Sequence, residues 1–76
     1  EERLTLWEKA IPKAAQLAND VNLSAIAQQY ELTGANIMNV MQHTCLQSLA
    51  RGENVLYKAD IVDGIKKEYT KEGKLI

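Results

Sequence analysis

The segment from Thr33 to Gly52 restricts the fold more than any other part of the chain. Ile37, Val40, Met41, Thr44 and Ser48 recur at three- and four-residue spacing. That spacing aligns them on one face of an α-helix and is incompatible with a half-buried strand, whose side chains alternate. Met38, Cys45 and Leu49 form an adjoining stripe, which predicts a helix packed on two sides. Thr33 suits the N-cap, because its hydroxyl can accept from a backbone N–H in the first turn. Helix therefore starts at Gly34 or Ala35, runs to about Arg51 and stops at Gly52. Arg51 complements the negative end of the helix dipole. A helix of this kind needs other elements to cover it.

The rest of the chain supplies them. Glu1 to about Ile11 reads as a helix whose acidic start, Glu1 and Glu2, suits the dipole. Leu4, Trp7, Ile11 and Ala14 give it an apolar face, which Pro12 interrupts. A short second helical piece is expected over Pro12–Leu17, with proline at its first position. After a loop at Ala18-Asn19-Asp20, Asn22 is a natural N-cap for a helix from Leu23 to about Tyr30. Leu23, Ile26, Ala27 and Tyr30 form its face. Val55-Leu56-Tyr57 is long enough only for an extended segment. A last helix begins near Lys58, carries Asp60 in its first turn, and ends at Gly73. Ile61, Val62, Ile65 and Tyr69 are its apolar residues, and Gly64 allows a close helix approach. The expected fold is all-α: a single four-helix bundle over 1–76, with short connections and no real sheet.

Composition narrows the function classes. A 76-residue chain buries only about 60% of its unfolded surface. Nine basic and ten acidic residues give a net charge of −1, which disfavours a dedicated nucleic-acid binder. One cysteine excludes an internal disulfide, so a reducing cytoplasm is the expected setting. No apolar run approaches the roughly 20 residues of a membrane span, and no membrane partner is expected. The chain opens Glu1-Glu2-Arg3 and reads as a fragment of a longer protein.

Few residues offer chemistry. His43 and Cys45 are two apart, and neighbours on a helix face are three or four apart, so they suit neither a metal pair nor a dyad. Asp60 and Asp63 fit helix-start electrostatics better than acid–base catalysis. Lys66, Lys67, Lys71 and Lys74 fit a solvated helix end, and Trp7 fits the core. The Thr33-Gly34-Ala35 junction is different. Small residues at a helix start leave the backbone N–H groups open to a ligand; the competing reading is that Gly34 only lets two helices meet. No Gly-x-x-x-x-Gly-Lys-(Ser/Thr) loop is present, so the chain holds no phosphate-cradling P-loop. It also lacks a nucleophile–base pair.

These residues stand in a recognisable order: Arg3-Leu4-Thr5-Leu6-Trp7, Ile11-Pro12, Asp20-Val21-Asn22-Leu23, Ile26-Ala27, Leu32-Thr33-Gly34-Ala35-Asn36-Ile37, Asp60-Ile61, and Glu68-Tyr69-Thr70-Lys71-Glu72-Gly73. Over nearly its whole length the chain resembles the C-terminal helical lid subdomain of an AAA+ ATPase. The resemblance implies a lid-type bundle that packs on a large nucleotide-binding subdomain in the same polypeptide. ATP or ADP would sit in the cleft between them, with Mg²⁺ held by the large subdomain. Gly34 and Ala35 match the family's Gly-(Gly/Ala) at the start of the third lid helix, the sensor 2 region, beside the adenosine part of the nucleotide. Catalytic groups lie outside the lid, so the parent protein would hydrolyse ATP and this chain alone would not. A neighbouring subunit of a ring, commonly a hexamer, is a further implied partner.

The chain departs from that pattern in three places. Met38 stands where relatives often carry arginine, and nothing between Gly34 and Arg51 is basic apart from His43. The resemblance therefore implies an adenosine-side contact rather than γ-phosphate sensing. His43-Thr44-Cys45 replaces an alanine-rich helix middle. Tyr57 replaces a threonine-type cap before the last helix, with Asp60 as the expected compensation. The alternative reading is a free-standing helical interaction or DNA-binding module.

Overall fold

A computed structural model describes residues 2–74. The role read for Glu1 lies outside the described residues. The fold is mainly α: α1 (Glu2–Ala10), α2 (Leu23–Gln29), α3 (Gly34–Ala50) and α4 (Lys58–Lys71), with two short strands, β1 (Gln16–Leu17) and β2 (Val55–Leu56). Asn22 caps α2, its Oδ1 accepting from the Ala25 N–H at 3.1 Å. Both long helices end in the same way. Gly52 and Gly73 each take φ of 73°, a left-handed conformation that favours glycine. The following N–H groups fold back: Glu53 onto the Ser48 carbonyl at 3.0 Å, and Lys74 onto the Tyr69 carbonyl at 2.8 Å.

Two expectations are corrected. Residues 12–17 do not form a helical piece. Pro12 opens a turn closed by the Ala15 N–H on its carbonyl at 3.1 Å. The chain then enters β1, which pairs in parallel with β2 in the register Gln16↔Val55 and Leu17↔Leu56. Gln16 donates to the Asn54 carbonyl and Ala18 to the Leu56 carbonyl, each at 2.9 Å. Six residues opening on proline are too few to sustain a helix, whereas the β2 backbone offers partners directly. A small sheet is therefore present, and Val55 and Leu56 of the expected extended segment are one of its strands, with Tyr57 at the N-cap of α4. The second correction concerns α3. Met38 and Leu49 are exposed and Cys45 is half-buried, so α3 is covered on one face only.

That face is the one the spacing marks. Ile37, Val40, Met41, Thr44 and Ser48 are all buried. Ile37, Val40 and Met41 join Trp7 of α1, Ile26 and Ala27 of α2, Leu56 of β2, and Ile61 and Ile65 of α4 in one core. Pairing α3 with α4 depends on Gly64: a Cβ there would lie 3.1 Å from Val40 Cγ1 and 3.3 Å from the Val40 Cα. Ala14, expected on the apolar face of α1, is exposed because the turn at Pro12 carries it away.

Candidate functional site

The start of α3 is held by several hydrogen bonds. Thr33 adopts an extended conformation and caps the helix: its Oγ1 accepts from the Asn36 N–H at 3.1 Å. Asn36 answers, its Oδ1 accepting from the Thr33 N–H at 3.1 Å and from the Thr33 hydroxyl at 2.9 Å. This is a reciprocal capping box with asparagine at its third position.

Gly34 and Ala35, the two residues the sequence singles out, open the helix just beyond that cap, Gly34 half-buried and Ala35 exposed. Space, not crowding, surrounds Gly34. A Cβ built there would meet only Leu6 Cδ1, at 3.8 Å, an ordinary contact. Nor is its φ positive. Two helices meeting does not explain this glycine; Gly64 is the position with that role. Leu6 and Met38, both exposed, stand on the elements that flank the junction.

Behind the junction lies a polar cluster that periodicity alone does not reveal. Glu68 is buried on α4, at 4% exposure, and its carboxylate accepts from Asn36 Nδ2 at 3.1 Å, Asn39 Nδ2 at 3.0 Å and Lys71 Nζ at 2.8 Å. Glu72 accepts from Asn36 Nδ2 at 2.9 Å and pairs with Lys74 at 3.3 Å. Burial pushes the Glu68 carboxyl up, but the bonds from Lys71, Asn39 and Asn36 outweigh it and hold it below its ordinary range. The Asn36 and Lys74 bonds likewise lower Glu72. One signal was available in the sequence: Glu68 lies three residues after Ile65, on the apolar side of α4.

The other candidates are kept apart. His43 Nε2 lies 2.9 Å from Asp63 Oδ2, bridging α3 to α4. Cys45 instead lines an apolar groove of about 200 Å³ with Pro12, Ala15, Leu49 and Leu56, and burial raises its thiol above the ordinary value. Asp60 pairs with Arg51 at 2.7 Å rather than compensating for the missing cap on α4. The loop residue Asp20 reaches the Lys58 N–H instead, at 3.4 Å. Lys67, Lys71 and Lys74 pair with Asp63, Glu68 and Glu72 respectively. Trp7 is fully buried, as core packing requires. Among the described residues no helix is long and apolar enough to cross a membrane. No family model and no curated protein matches the chain.

Proposed function

We propose that this chain is the helical lid of an AAA+ ATPase, in which Gly34 and Ala35 form the adenosine-side wall of an ATP site. The observation that carries the reading is the space at Gly34. A small residue that neither packing nor backbone conformation requires stands at a capped helix start, the end of a helix whose dipole favours a polar or anionic ligand. The order of residues along the chain supports the same reading. In this account the P-loop, the Mg²⁺ ligands and the water-activating groups belong to a large subdomain of the parent polypeptide, which works in the cytoplasm as a ring, commonly a hexamer. The lid couples nucleotide state to ring motion. Exposed Met38, Leu46 and Leu49 on α3 supply apolar surface for contacts with the rest of the machine.

A free-standing DNA-binding module is less well supported. α3 carries no lysine or arginine to meet phosphate, and the net charge is −1. The test is activity by parts. The parent polypeptide should hydrolyse ATP, and the isolated 76-residue chain should neither hydrolyse it nor bind it measurably by calorimetry. Tight nucleotide binding by the isolated chain, or a parent polypeptide without a P-loop, would contradict the reading.

A further inference from the structure

Asn36 is saturated in a way that links two separate elements. Its Oδ1 takes two hydrogen bonds from Thr33, and its Nδ2 gives one to Glu68 and one to Glu72. A side-chain amide has two acceptor sites and two donors, so all four are used. The acceptor half of Asn36 builds the cap of α3. The donor half ties that cap to the C-terminal end of α4. Asn39 and Lys71 hold Glu68 from either side, and Lys74 holds Glu72, so neither carboxylate is free to follow another partner.

We propose that Asn36, clamped by Glu68 and Glu72, is the positioning residue of the Thr33–Ala35 junction, fixing its placement relative to the end of α4. Its consequence for nucleotide rests on the proposed adenosine-side contact. A shift of the α4 end moves the junction, and the junction cannot settle unless the clamp is closed.

Asn36→Asp separates this from a local capping role. Aspartate keeps an acceptor oxygen for the Thr33 N–H and hydroxyl, so the local capping bonds can still form. What changes is the donor half: a carboxylate now faces Glu68 and Glu72. Amide hydrogen exchange in the 76-residue chain should quicken at Thr33, Asn36 and Ile37 by about tenfold or more, with Gln16 and Ala18 of the sheet unchanged. Asn36→Asp combined with Glu68→Gln and Glu72→Gln exchanges donors for acceptors and should restore slow exchange. Glu72→Ala, which removes only the outer arm, should give a smaller local rise and keeps the test open if Asn36→Asp does not fold. In the parent polypeptide, Asn36→Asp should weaken adenine-nucleotide binding and the triple variant should recover it. Unchanged exchange in Asn36→Asp and Glu72→Ala, or an equal rise over the whole chain, would overturn the clamp. Local loosening with unchanged nucleotide affinity, while Gly34→Val still weakens binding, would overturn its positioning role. If Gly34→Val is without effect, the nucleotide reading falls and the clamp stands on exchange alone.

Discussion

Two glycines in helices carry opposite meanings. At Gly64 an added Cβ would press on Val40 backbone and side chain at 3.1 to 3.3 Å. Gly64→Ala should therefore destabilise the chain by about 1 kcal/mol, the overpacking cost exceeding the gain in helix propensity. At Gly34 the same change meets only Leu6, at 3.8 Å. Gly34→Ala should leave stability unchanged or raise it, by at most about 1 kcal/mol. Urea unfolding followed by the fluorescence of Trp7, the single tryptophan, measures both. A loss of stability in Gly34→Ala would return that glycine to a packing role. The sequence distinguishes neither case, because a glycine on a helical pattern reads alike whether its missing Cβ faces a neighbour or open space.

Among the elements, α3 was the most legible and β1 the least. The five residues that mark the α3 stripe are among the six that the helix buries, the sixth being Asn36, since period and burial have the same cause there. The second stripe fails because apolar residues also occur singly on surfaces. Leu49→Gln should then change stability by no more than about 0.5 kcal/mol, whereas Ile37→Ala should cost about 2–5 kcal/mol. β1 has two residues, too few for alternation to register, and its partner strand lies beyond two intervening helices. The α3–α4 clamp was hidden for a related reason: contacts between Asn36 and residues 68 and 72 leave no periodic trace. It does predict a pH dependence. Both carboxyls are lowered in the folded state, so their stabilisation is complete above the unfolded value of 4.5 and is lost as pH falls through the folded values. Unfolding midpoints should decline on the acid side, and less steeply in Glu68→Gln. Parallel acid profiles in the two proteins would remove Glu68 from that account.

At the scale of the whole molecule, the described residues form four helices and a two-stranded parallel sheet around one core and leave most of the outer side of α3 uncovered. The fold class could be read from the sequence because short periodic segments separated by caps and glycines permit few arrangements. The site was legible only in part. Gly34 and Ala35 could be named, but not the buried Glu68 carboxylate behind them, which accepts from Asn36, Asn39 and Lys71. In the proposed lid, the junction is small so that a nucleotide can lie against it. Titrating ADP into the parent polypeptide, with Gly34 intact and as Gly34→Val, tests that claim most directly. The valine variant should fold with near-native stability and bind ADP about tenfold or more weakly, the scale of lost close contact in a binding pocket. Equal affinity in the two proteins would contradict it.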